Sequence, residues 1–136
     1  YAFAEWQASI ARAQIERIDE IVEQRRRVYA RLRGGLEGCR SFELPPQDDQ
    51  GSWACIRFPI RVRGDKLDFY RRGVRRGVDF AFSFTFLAEP GRFPHADRLA
   101  AAVLDIPFYF KLSERELRET IARLRSIDEE VSREGQ

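Results

Sequence analysis

Ala54-Cys55-Ile56-Arg57-Phe58-Pro59-Ile60-Arg61-Val62 is the stretch whose pattern decides how this chain folds. Ala54, Ile56, Phe58, Ile60 and Val62 alternate with Cys55, Arg57, Pro59, Arg61 and Arg63. A period of two with one polar side is the signature of a half-buried strand. Pro59 has no N–H to give to a ladder, so the strand is expected at a sheet edge, or bulged there. Gly64-Asp65 then turns the chain, and Asp65 is placed to cap a short helix from Lys66 to about Arg76.

Downstream, a second strand is read from Phe80, Phe82, Phe84 and Phe86 facing one way, with Asp79, Ala81, Ser83 and Thr85 facing the other. A loop from Glu89 to Pro94 leads to a helix near Ala96–Leu104, ended by Pro107. Ser113, with Glu116 three residues on, forms a capping box for a last helix with the stripe Leu117, Ile121, Leu124 and Val131. The tail Ser132–Gln136 is expected to fray.

Upstream, residues 45–52 (PPQDDQGS) are a loop by turn chemistry. Ser41–Leu44 can add a short strand. Residues 4–33 read as one long helix. Ala8, Ile15, Val22, Tyr29 and Leu36 recur every seven positions. Ala11, Ile18 and Leu32 fill a second position, interrupted by Arg25. Such a stripe serves a coiled coil or dimer seam, or packs on the domain's own sheet; a charge in the seam favours the sheet. Gly34-Gly35 is expected to end the helix. The fold class is therefore α/β (α+β): one domain over residues 1–136, a long first helix, and a small sheet with helices packed on it.

Composition narrows the function. A chain of 136 residues with eleven Phe, four Tyr and two Trp has material for a real core. A net charge of only +2 argues against nucleic-acid binding, which needs uncompensated cations. Cys39 and Cys55 are two thiols without a CxxC, read as reduced in a cytoplasmic protein. No apolar run approaches a membrane span. One histidine and two unrelated cysteines argue against a metal site of standard ligand type. His95, beside Pro94 at a helix start, reads as a surface or capping residue. Arg71, Arg72, Arg75 and Arg76 recur on one helix face and, with Arg61 and Arg63, are candidates for an anion-binding patch. The competing reading is a solvated face whose arginine stems cover the sheet.

Several runs then match one family in order. Ala4-Glu5-Trp6-Gln7-Ala8, Gln14-Ile15-Glu16-Arg17-Ile18-Asp19, and Arg25 to Arg27 with Tyr29 follow the pattern S/T-E/D-x-Q-A…Q-L-x-x-L-D and its arginine-rich continuation. Phe93-Pro94 with Ala96 is similar to F-P-x-A-E. Leu104-Asp105-Ile106-Pro107 is similar to L-S-L-P, and Leu112-Ser113 to the L-S/T before a final helix. The chain thus resembles the C-terminal part of the DegT/DnrJ/StrS family, the pyridoxal-phosphate sugar aminotransferases.

That resemblance implies the small domain of a fold-type-I enzyme. The family's large N-terminal domain carries the Schiff-base lysine and most cofactor contacts. Here the only lysines are Lys66 and Lys111, against 22 arginines, and neither looks placed for covalent chemistry. The chain starts at Tyr1, inside a helical pattern, and holds no methionine. It is therefore expected to be a fragment, inactive by itself, with pyridoxal phosphate bound by the parent protein and none by this segment.

The resemblance also implies a homodimer in the parent, and a nucleotide sugar and an amino donor as substrates. It implies Tyr1 and Glu5 near the partner-facing active site, and Ser83, Phe84, Phe86 and Ala88 on the substrate side. The chain departs from the family there. Ala2 aligns with an arginine, and across residues 81–88 Ala81, Ser83, Phe84, Phe86, Leu87 and Ala88 stand against R-x-H-Y-x-P-L-H, losing the arginine and both histidines. A drier pocket follows, less suited to a charged sugar nucleotide. The alternative to an aminotransferase fragment is a non-catalytic dimerising or partner-binding module derived from that family.

Overall fold

A computed structural model describes residues 4–47, 56–82, 89 and 91–134. The elements are α1 (Glu5–Ile15), α2 (Ile18–Leu36), β1 (Phe42–Glu43), β2 (Phe58–Val62), α3 (Lys66–Arg75), α4 (Pro94–Ala102), β3 (Val103–Ile106) and α5 (Glu114–Glu134). The sheet runs β1-β2-β3, antiparallel throughout.

From Phe58 on, the alternation in β2 sorts its two faces as expected, whereas Ile56, expected on the core side, precedes the strand and is exposed. Phe58, Ile60 and Val62 are buried, and Arg61 is exposed. Their cross-strand partners inherit the same sides. Phe42 opposes Val62, while Leu104 and Ile106 oppose Ile60 and Phe58. These residues, with Phe80, form the floor of the core. Val28, Tyr29, Leu32 and Leu36 of α2, Phe69 of α3, and Leu117, Leu124 and Ile127 of α5 close over it. Leu32, Leu36, Phe58 and Leu124 are fully buried, each contributing about 1.5–3 kcal/mol relative to exposure.

Three expectations hold in detail. Asp65 Oδ1 accepts from the amides of Leu67 (2.7 Å) and Asp68 (3.1 Å) and caps α3. Ser113 and Glu116 form the box that starts α5, at 2.8 and 3.2 Å. The short strand near Ser41–Leu44 is β1.

Others are corrected. Pro59 does not lie on an outer strand, because β2 is central. Asp105 exchanges both backbone bonds with Ala81 at 2.9 Å, so its backbone groups point away from β2. Pro59 opposite it therefore needs no donor towards β3, and two-residue β1, paired at Arg61 and Val62, does not reach it on the other side. The expected helix to Leu104 stops at Ala102, and Val103–Ile106 is a strand buried along its whole length. The long first helix is two: backbone bonds tighten at Glu16-Arg17, where Arg17 N–H donates to Gln14 O at 3.2 Å. Gly34-Gly35 does not end α2. Gly38, at φ +85°, takes the left-handed position instead. Gly35 lets α5 approach, since a Cβ there would lie 2.4 Å from Ile121 Cδ1. The helix α5 continues through Glu134, past the expected fray at Ser132. The second strand is described only to Phe82: Ala81 forms a bridge with Asp105, and Phe84 and Phe86 lie outside the described residues.

Candidate functional site

The sheet has one face in the core, so chemistry open to a ligand belongs on the other. Residue parity places Glu43, Pro59, Arg61, Val103, Asp105 and Ala81 there. On the β1 side, Glu43 accepts from Arg61 Nη2 and from Arg63 Nε at 3.4 Å. At the outer edge, Asp105 is buried and accepts from Arg57 Nη1 at 3.0 Å. Ala81 is exposed beside it. The helix α4 borders this face: Arg61, His95, Arg98 and Leu99 line a cleft of about 160 Å³. His95 is exposed, as expected, with Nδ1 2.8 Å from Arg98 Nη2.

Phe82 closes the described part of the edge. Its ring packs against Tyr70 at a tilt of 53°, centroids 4.7 Å apart, and lies 5.3 Å from Lys66 Nζ. Lys66 Nζ donates to the carbonyl of Ala100 near the end of α4. Burial pushes its pKa below the ordinary lysine value. Lys111 Nζ lies 5.6 Å from the Phe110 ring. A pyridoxal-phosphate site needs a lysine amine facing a cleft together with groups that hold a phosphate. Lys66 is tied to a backbone carbonyl, and Lys111 lines neither this cleft nor the apolar one below.

The four α3 arginines divide. Arg72 is buried: Nε donates to Asp68 Oδ2 at 2.6 Å, Nη2 to Glu134 Oε2 at 2.6 Å, and Nη1 to Glu134 Oε1 at 3.0 Å and to Glu130. Arg76 Nη2 donates to Glu130. These two are therefore occupied by the protein's own carboxylates, which corrects their reading as anion ligands. Arg71 and Arg75 are exposed and make no ion pair with a described residue. Arg61 and Arg63 do not join them, because α3 packs on the core face and Arg61 points from the other. Glu5 is exposed in the first turn of α1. Tyr1, Ser83, Phe84, Phe86 and Ala88, like Cys55, lie outside the described residues.

The heptad stripe is covered over half its length. Tyr29, Leu32 and Leu36 are buried, whereas α1 buries nothing, and Ile15 and Ile18 are exposed. An apolar cleft of about 350 Å³ lies at the α1–α2 step, between Ile15, Ile18, Ile21 and Val22 and the side chains of Ile56 and Phe110. Among the described residues no group of His, Cys, Asp and Glu is arranged to hold a metal ion, and no helix is long and apolar enough to cross a membrane.

Sequence reasoning missed the Arg57–Asp105 pair, the Lys66 tether and the Arg98–His95 contact. Only the last carries a local signal, its spacing of three residues on a helix.

Comparison with known proteins adds the context. The sequence profile of the DegT/DnrJ/EryC1/StrS aminotransferase family matches residues 1–125. The lipopolysaccharide biosynthesis protein RfbH of Salmonella typhimurium is 38% identical over 58 residues, which are 42% of this chain and 13% of that protein. Among solved structures, the aminotransferase TlmJ of Streptoalloteichus hindustanus superposes with a TM-score of 0.82 at 25% identity, over 93% of this chain and 37% of that one. A putative sugar aminotransferase of Streptococcus pneumoniae in its PLP form has the same fold, with a TM-score of 0.78 at 17% identity over 92% and 36%. The chain thus spans little more than a third of these solved relatives.

Proposed function

The chain belongs to the DegT/DnrJ/EryC1/StrS aminotransferase family, and on that premise we propose that it is the C-terminal small domain of a pyridoxal-phosphate enzyme that aminates a keto sugar. The observation that carries this is the family match over residues 1–125, joined to a shared fold over 93% of the chain. The donor's amine is oxidised to a ketone as the sugar's ketone is reduced to an amine. Pyridoxal phosphate, when bound, supplies the electron sink for that exchange.

In this reading the 136 residues are inactive alone, because the amine that holds the cofactor belongs to the remainder of the enzyme. The parent is a cytoplasmic homodimer acting on a nucleotide-linked sugar. Tyr1 and Glu5 lie near its partner-facing active site. Ser83, Phe84, Phe86 and Ala88 line the substrate side and give it an apolar wall. The test is to incubate the full-length protein with an amino acid donor and a panel of keto sugars, free and nucleotide-linked. Mass analysis should find an amine in place of the keto oxygen; no aminated sugar across the panel would sink the reading.

A second reading is favoured by α1. Trp6, Ile10 and Ile15 of α1, and Ile18 where α2 begins, are all at least half exposed, a concentration of large apolar side chains in water. A non-catalytic dimerising or partner-binding module would use it. Sedimentation of the chain at high concentration separates the two: a strictly monomeric chain removes the dimer form of this reading.

A further inference from the structure

We propose that the cleft between β2 and α4 binds a phosphate group, held by Arg61, His95 and Arg98. Arg61 enters from the exposed side of β2. His95 and Arg98 enter from one face of α4, three residues apart. Arg98 has no acceptor atom, so at 2.8 Å it donates to His95 Nδ1. The ring proton of neutral His95 is then on Nε2, which becomes a further donor. Glu43 bonds Arg61 at Nη2 and steadies it, leaving Nε and Nη1 without partners among the described residues. That one carboxylate also serves Arg63, so positive charge stays in excess.

The remaining lining residue, Leu99, is apolar. With His95 Nδ1 already engaged by Arg98, the lining side chains offer donors and no free acceptor, the chemistry of an anion site. Two guanidinia suit the tetrahedral, multiply charged oxygens of phosphate better than a single carboxylate. His95 stands in the first turn of α4, a nine-residue helix, where the helix dipole adds to the attraction. A volume of about 160 Å³, roughly five water molecules' share, accommodates the group. None of the residues assigned to the proposed amination takes part, so the site stands or falls independently of that reading.

His95 is the sole histidine, which makes its ring resonances an unambiguous reporter of the cleft. The chain is titrated by NMR with inorganic phosphate and with a nucleoside diphosphate, at fixed pH and ionic strength, with chloride as reference. A saturable shift of the His95 signals is expected, weakened at least tenfold in Arg98→Gln and in Arg61→Gln and unchanged in Arg71→Gln. Tighter binding of the diphosphate identifies a nucleotide as the ligand, and equal binding identifies free phosphate; either supports the site. Shifts that follow chloride without saturating overturn it, as does wild-type affinity in Arg98→Gln, whose exposed side chain is not needed for folding.

Discussion

Arg72 in α3 and Glu134 in the last turn of α5 meet through two parallel hydrogen bonds, of 3.0 and 2.6 Å. The pair ties residues 62 apart in sequence, with Asp68 and Glu130 on the same guanidinium. Arg72→Met would leave Asp68 and Glu134 without an ion-pair partner among the described residues, and Glu130 with Arg76 alone. Those carboxylates are partly exposed and recover water, which limits the cost to about 2 kcal/mol, or roughly 8 °C in thermal midpoint for a domain of this size. Arg71→Met, on the exposed side of the same helix, should stay within about 0.5 kcal/mol. Equal midpoints for the two variants would refute the assignment.

Acid should weaken this link. The bond from Arg72 holds Glu134 below the usual glutamate range, and the bonds from Ser113 do the same for Glu116. A folded pKa below the unfolded value means stabilisation that is fully present above about 4.3 and is lost as pH falls through the folded value. Urea midpoints should therefore decline below about pH 4.3, and Glu134→Gln should flatten that decline. A variant with the wild-type slope would show that Glu134 is not a contributor.

Gly73 faces Phe80 so closely that an added Cβ would lie 2.2 Å from the ring carbon Cε2. Glycine within a helix usually loses about 1 kcal/mol against alanine, so helix propensity alone predicts that Gly73→Ala stabilises. Overpacking against a buried ring should reverse the sign, with a net loss of about 1–3 kcal/mol. Phe80→Leu should recover part of that loss in the double variant, which chemical denaturation can measure.

Cys39 should be a sluggish thiol. Burial first, and then the Asp128 carboxylate against a smaller opposing effect of Arg125, push its pKa up to about 11. Alkylation at pH 8, followed at the Cys39 peptide by mass spectrometry, should be many times slower in the folded chain than in urea. Its raised folded pKa also favours the folded state below about 8.5, and that contribution is lost as pH rises towards 11. Equal alkylation rates with and without urea would contradict this.

What could be read from the sequence was the local chemistry. Asp65 and the Ser113–Glu116 pair announce their helices because capping involves neighbours in the chain. The alternation in β2 is legible because one face meets water. The strand Val103–Ile106 is not, since it is buried throughout and shows no period of two. Gly35 reads as a helix end, although its purpose is contact with Ile121, 86 residues further on. Arg72 and Arg71 are the same residue type in the same run. What separates them is Glu130 and Glu134, distant in sequence and brought in by packing α5 on α3. The exposed arginine face of the sheet, likewise, is defined by pairings that no local pattern announces.

The most direct test of the central claim is to find which lysine holds the cofactor. The full-length protein carrying this segment is mixed with pyridoxal phosphate, reduced with borohydride to fix the cofactor to its lysine, digested and mapped by mass spectrometry. The label is expected on a lysine outside these 136 residues, with Lys66 and Lys111 unmodified. A label on either of those two, or no label anywhere in the protein, would contradict the claim that this chain is the small domain of such an aminotransferase.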